Sequence, residues 1–409
     1  MFGIFGSGSK DAKPEVERQK YWMEGDDMII DMSTPMVEHI HEGEDMVLNM
    51  GPQHPSTHGV LRLELLCDGE IVKKCTPHIG YLHRCFEKHA ENLPYPEVIP
   101  FVDRLDYMAS MNQDMAYCVA VEKMLAPELP ERVEYIRVIV SELNRIASHL
   151  VALGTFGGDA GALTPFLWCF RDREKILDLF EWLSGARMLY NYIWIGGVAR
   201  DLPDGWVAKT TEFLDYFEDK LKNLDQLLSF NKIFIERTAN VGVIDKDKAI
   251  ALGLTGPILR ATGFEWDLRK NDPYSIYDKF DFDIPVGAGE YGPLGSCWER
   301  YYIRVRECRE SVKILRQALP NIPDGDVMEA IPRRVKLPKG EVYVRTEAPK
   351  GELGFYIVSD GTGEPYRCKC KSPSFSHVAA LDYLCRGVFV ADVIVILGSM
   401  DVVLGEIDR

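Results

Sequence analysis

The chain has 409 residues, of which 46 % are hydrophobic and 27 % charged, and a formal net charge of −16. These are globular values, and the length allows a large buried core and more than one structural unit. The acidity excludes nucleic acid as a partner, since phosphates need clustered Lys and Arg, and it argues against direct binding to anionic lipid heads. No apolar run reaches the roughly 18 residues of a membrane span. The start, Met1 to Ser9, lacks the basic and long apolar parts of a secretory signal. The expectation is a chain that stays in the cytoplasm or on the cytoplasmic face of a membrane, held there by a partner.

In chain order, residues 1–45 are polar and acidic and read as a loosely held arm. Order is expected from Met46. Val60 to Cys67 and Glu70 to Thr76 read as strands joined by a tight Asp68-Gly69 turn. Helices dominate 103–320. Asp103 reads as the cap of a first helix carrying Leu105, Met108, Met111, Met115 and Val119 at helical spacing. A second helix covers about 131–153 and stops at Gly154. Thr164-Pro165 marks the start of a third, with Phe170, Ile176, Phe180 and Leu183 inward. Two more cover about 206–229 and 297–318. Long helices with short connections predict a bundle. Past a Pro- and Asp-containing link the period changes. Glu341 to Thr346, Leu353 to Ser359 and Tyr366 to Lys371 read as strands, and Asp392 to Leu397 as a short apolar run. The expected class is α+β: a central long-helix bundle (103–320) between an N-terminal region with a β-hairpin (46–102) and a C-terminal β-containing region (321–409).

The ten cysteines are scattered and no Cys-x-x-Cys occurs, so no metal is expected in this chain. Cys368-Lys369-Cys370 with Cys385 comes nearest to a cluster, but alternate strand residues simply share a face.

One loop stands out. Gly51-Pro52-Gln53-His54-Pro55-Ser56-Thr57-His58-Gly59 packs two imidazoles and two hydroxyls between rigid prolines and permissive glycines. Such a loop is either a structural turn or a site with proton-active groups. The spacing of His54 and His58 would suit metal on a helix, which the prolines forbid. This segment resembles the signature of the quinone-site subunit family of respiratory complex I, the 49-kDa or D-type subunits. Further blocks carry the resemblance in order: His78 to Glu87-Lys88, Arg104-Leu105-Asp106-Tyr107, Ser141 to Leu150, Gly161 to Pro165, Ile195 to Val198, Gly351 to Gly354, and Asp401 to Arg409. Together they span roughly 46–409.

The family is similar to nickel–iron hydrogenase large subunits, which hold their metal with paired cysteines. Here those positions fall at Asp106, Ala109, Val403 and Glu406, and none is a thiol. The resemblance therefore implies a hydrogenase-like fold without its metal. It implies reduction of quinone as substrate with electrons from an iron–sulphur cluster in a partner subunit of the B type. Neighbours of the C type and a membrane subunit of the H type are implied too, in a proton-translocating complex peripheral to the cytoplasmic face of the inner membrane. The upstream donor stays open between NADH, ferredoxin and a reduced deazaflavin.

Within this resemblance Tyr107 and His58 hold the quinone oxygens, with His54 beside them, and Asp159 pairs with His58. Arg84 and His149 are placed near the partner's cluster. On pattern alone, Tyr107 reads as a core aromatic and Asp159 as a turn residue. Glu142, Arg145 and His149 share one helix face. That face reads as a solvated stripe or salt bridge on pattern, and as a buried polar network within the family. Cys85 departs from the family's usual Gly.

Overall fold

The computed structural model describes residues 20–24, 27–31, 45–332 and 334–409. The expected loose arm falls largely outside these residues; within it, β1 (Lys20–Glu24) and β2 (Asp27–Asp31) pair as an antiparallel hairpin.

β3 (Asp45–Met50), β4 (Arg62–Asp68) and β5 (Ile71–His78) form an antiparallel sheet with β4 central. Leu63, Leu65 and Cys67 alternate inward along β4, the period-two pattern of a half-buried strand. The turn is Gly69-Glu70, one residue later than expected, because Asp68 still pairs with Ile71; only Gly69 takes positive φ (57°). β3 has no counterpart among the strands expected from periodicity.

The bundle comprises α1 (Ser110–Leu125), α2 (Glu131–Asp159), α3 (Leu163–Ser184), α4 (Trp206–Leu224) and α5 (Cys297–Ala318). Three boundaries differ from the sequence reading. Asp103 does not cap α1; it ends a short helix, Tyr95–Val102, and residues 103–109 form an irregular turn. Asn144 of α2 holds that turn, accepting from Met111 N (2.9 Å) and donating to the Met108 carbonyl (3.1 Å). α2 does not stop at Gly154. A Cβ there would lie 3.1 Å from Cys169 Cβ on α3, so this glycine serves close helix packing and the helix runs on to Asp159. α3 opens at Leu163, with Thr164 inside its first turn rather than at the cap. Ile176, Phe180 and Leu183 do point into the core, while Phe170 is only partly buried.

The C-terminal region holds β6 (Gly340–Ala348), β7 (Gly351–Ser359) and β8 (Arg367–Lys371) as an antiparallel meander. It packs on α1, where Tyr117 meets Phe355 edge to face at 5.6 Å. The apolar run at 392–397 belongs to a helix, α6 (Val390–Met400), followed by the short α7 (Leu404–Asp408). One cluster of buried side chains extends from Met50 to Ile407 and joins all three expected regions.

The polar face of α2 is not solvated. Glu142, Arg145 and His149 are fully buried. Glu142 binds Arg145 and Arg269 and accepts from Tyr277 and Ser311, and His149 Nε2 lies 2.9 Å from Glu307. Arg260 closes the network by bonding Glu307 and Glu347.

Candidate functional site

Four segments distant in sequence meet at one cavity of about 380 Å³ whose walls include His58, Tyr107, Asp159, Val151, Leu163 and Asp401. The volume lies in the range of small-molecule sites, roughly 300–1,000 Å³.

His58 comes from the Pro- and Gly-rich loop. Pro55–Thr57 make a single 3₁₀ turn, and His58 ends it in the left-handed region (φ 55°), where a residue with a Cβ is strained. The buried Thr57 holds the loop, its Oγ1 lying 2.8 Å from the His54 carbonyl and 2.9 Å from that of Gly59. Gly51 is required by packing: a Cβ would sit 2.0 Å from the Leu61 carbonyl oxygen. The loop thereby aims the imidazole at the end of α2.

Asp159 is the last residue of α2, and its Oδ2 lies 2.7 Å from His58 Nε2. Both side chains are nearly enclosed, at 16 % and 13 % exposure. Gly398 of α6 leaves room for the carboxylate, since a Cβ there would fall 2.5 Å from Asp159 Oδ2. Burial pulls the His58 pKa down. The hydrogen bond and charge of Asp159, with the charge of Asp401, outweigh it and leave the imidazole above its ordinary value. The carboxylate thus orients the ring and favours its protonated form.

Tyr107 stands in the irregular turn before α1. Burial raises its phenol further above 10, the nearby Asp106 adds to this, and Lys350 and Arg84 oppose it. The phenol is a neutral donor at any physiological pH. α7 presses on this turn at Gly405, where a Cβ would lie 2.4 Å from the Leu105 carbonyl oxygen and 3.1 Å from the Tyr107 ring.

The remaining expected site residues lie elsewhere. His54 is exposed, its Nδ1 accepts from Ser56 N, and it is absent from the cavity wall. Arg84 is exposed and its guanidinium donates to the Arg104 carbonyl. It sits beside a second cavity of about 410 Å³ walled by His83, Cys85 and Arg409. There the 80–84 segment clasps the end of the chain: Gly80 N and Leu82 N donate to the Asp408 carboxylate at 2.8 and 2.7 Å. Cys85 has φ 56°, which accounts physically for a glycine preference at that position. His149 is sealed inside the bundle. Burial lowers its pKa, with Glu307 opposing. Asp401, Gly398 and Lys350 escape a reading of the sequence as site residues. Asp401 opens one of the blocks that carry the resemblance; the other two have no local signal.

The family described as "Respiratory-chain NADH dehydrogenase, 49 Kd subunit" matches residues 159–409. The chain belongs to that family. Similar proteins include the NADH-quinone oxidoreductase D subunit of Chlorobium phaeovibrioides, 55 % identical over 370 residues, which are 90 % of this chain and 92 % of that one. The corresponding protein of Chlorobaculum tepidum is 54 % identical over 377 residues (91 % and 94 %). That of Cytophaga hutchinsonii, the first of its numbered D subunits, is 55 % identical over 383 residues (91 % and 97 %). Family membership makes this chain a subunit of a complex I-type oxidoreductase, so it works among partner subunits. Among the described residues no helix is long and apolar enough to cross a membrane.

Proposed function

We propose that the 380 Å³ cavity receives the head group of a quinone and supplies the protons for its reduction. One observation carries the reading: the His58–Asp159 pair, 2.7 Å apart, and the Tyr107 phenol stand on the walls of the same cavity. Quinone and quinol differ by two electrons and two protons. Tyr107 and His58 are donors suited to the two ring oxygens, one a neutral phenol and one an imidazole whose protonated form its carboxylate favours. His54, on the same loop, is assigned a supporting role. The electrons come from an iron–sulphur cluster of a B-type partner subunit, toward which Arg84 and His149 contribute positive or polar character. Leu163 lines the cavity and is 66 % exposed, and Leu167 one turn on is 57 % exposed. This apolar rim supports entry of an isoprenoid tail from an H-type membrane subunit, with the chain peripheral to the cytoplasmic face and a C-type subunit alongside. NADH is the favoured upstream donor because the relatives are named for it.

Loss of the His58 proton to the quinone leaves Asp159 without its counter-charge. That unbalanced carboxylate is the proposed trigger for proton translocation. The test is Tyr107→Phe in the assembled complex, which removes one hydroxyl and little volume. Quinone reductase turnover is expected to fall about a hundredfold or more, the usual share of a positioned proton donor, with complex content unchanged. Normal turnover would remove the donor role.

A further inference from the structure

Asp103 and Asp114, which the quinone reading leaves idle, meet at the base of the turn that carries Tyr107. Asp103 opens the irregular turn 103–109, Asp114 lies in the second turn of α1, and both are fully buried. Ser110 Oγ donates to the Asp103 carbonyl at 3.0 Å. Asp114 is four residues further along α1, so it stands on the same face, and its carboxyl meets that of Asp103 in a side-chain hydrogen bond. Asp103 Oδ2 accepts from Asn191 N at 2.8 Å, which ties the segment after α3 to the same point.

No N–H serves the two carboxyls where they meet. Asp114 Oδ1, Asp114 Oδ2 and Asp103 Oδ1 are sealed from solvent and accept from no donor among the described residues. An ionised carboxylate can only accept, so two ionised acids in contact would repel and leave three buried acceptors bare. One proton between them turns one acid into a donor, satisfies an oxygen of the other and removes a charge. The neighbours say where it resides. Asp103 has the Asn191 N–H on Oδ2 and the Arg104 guanidinium 3.9 Å away, and both favour its charge. Asp114 has no such donor, so it keeps the proton and gives its O–H to Asp103 Oδ1. The Cys118 thiol, one turn along α1, and the Tyr190 phenol also face the pair; burial holds both neutral, and Arg173 and Arg187 stand beyond Tyr190. Burial and the charge of Asp103 keep the Asp114 pKa well above the carboxylate range, as the hydrogen bonding requires.

Resting on the quinone reading, we propose that Asp114 is a protonated positioning residue whose O–H, given to Asp103, latches the turn that presents Tyr107 to the cavity. This bond and that of Ser110 close the turn at its base. Further along, Asn144 of α2 clamps Met108 and Met111. Tyr107 stands between the two clamps. Loss of the shared proton sets two like charges against each other at the base, and the turn parts from α1. The latch is closed at neutral pH and opens as the solution becomes alkaline.

The experiment measures quinone reductase turnover of the complex in its native membrane, from neutral to alkaline pH, in wild type, D114N and D114L. Asn keeps the shape and donates an N–H that alkali does not remove. D114N should match wild type at neutral pH, and the ratio of its turnover to that of wild type should rise with pH. The ratio cancels titrations common to both, that of His58 included. Leu keeps the size but has no donor. D114L should lose on the order of ten- to a hundredfold in turnover, the usual result of displacing a reacting group by about 1 Å. Adding Y107F to D114L should then cost far less than Y107F costs in wild type, because the phenol is already out of place. A D114N complex that is slow or unassembled at neutral pH overturns the proposal. So does a ratio that stays flat with pH, or a Y107F loss in D114L as large as in wild type. If D114L does not assemble, the D114N ratio decides alone. Normal turnover in Y107F removes the quinone-donor role itself, whereas a slow Y107F beside a flat D114N ratio removes only the latch.

Discussion

At the scale of single residues, the proposed site turns on one imidazole and its carboxylate. His58 is enclosed, and enclosure alone would lower its pKa; Asp159 at 2.7 Å, with the charge of Asp401, turns the shift upward. Asp159→Asn keeps the shape and removes the charge, so burial should then prevail and the His58 pKa should drop. The variant's pH profile of quinone reduction is expected to shift to lower pH, with turnover at neutral pH down by about a hundredfold. Nuclear magnetic resonance titration of the ring, or the pH profile itself, checks this; an unshifted profile would show that Asp159 does not set the charge. The same residue shows why local reading fell short. The glycines around 157–161 suggest a turn, yet Gly154 and Gly157 are there for contacts with α3 and with Leu228, and the helix continues through both.

At the scale of elements, α2 carries Asp159 of the proposed site at its end and a sealed ionic network along its length. Glu142 holds the middle of that network. Burial would raise its pKa, but Arg145 and Arg269, with the hydroxyls of Ser311 and Tyr277, bring it down to about 2. Glu142→Ala strands two guanidinium groups in the core. A loss of about 3–5 kcal/mol is expected, the usual result of breaking a buried pair from one side. Chemical denaturation of the purified chain measures it, and a midpoint close to wild type would mean that water reaches the network. Legibility at this scale was uneven. The strands of the C-terminal meander and the 297–318 helix followed from periodicity and turn residues. The start of α1 did not, because its cap is Asn144 from another helix, a partner 33 residues away from Met111.

For the whole molecule, buried acids of two kinds set the response to pH. Glu406 is raised to about 7, and Asp103 to about 6 by burial, with Asp114 and Asn191 opposing. A raised acid binds its proton more tightly when folded. Its contribution is complete below the unfolded pKa and is lost as pH rises through about 6–7. Glu142 and Asp267, both lowered to about 2, act oppositely: their contribution is present above the unfolded pKa and is lost as pH falls toward 2. Stability of the chain should therefore peak at mildly acidic pH, decline toward neutrality, and collapse in strong acid. Denaturant midpoints across that range test it. E406Q should flatten the neutral limb, and an unaltered limb would assign it to other groups.

The sequence by itself determined the family, the α+β class, the long helices and the three residues at the cavity. Ordered blocks of rare local composition survive in one dimension, and helical and strand periods are local properties of the chain. Only the tertiary structure decided that His58, Tyr107 and Asp159 share a wall, that Asp401 and Lys350 stand beside them, and that the α2 charges are interior. Those facts depend on contacts between residues up to hundreds of positions apart and on dielectric surroundings that a residue's near neighbours do not specify.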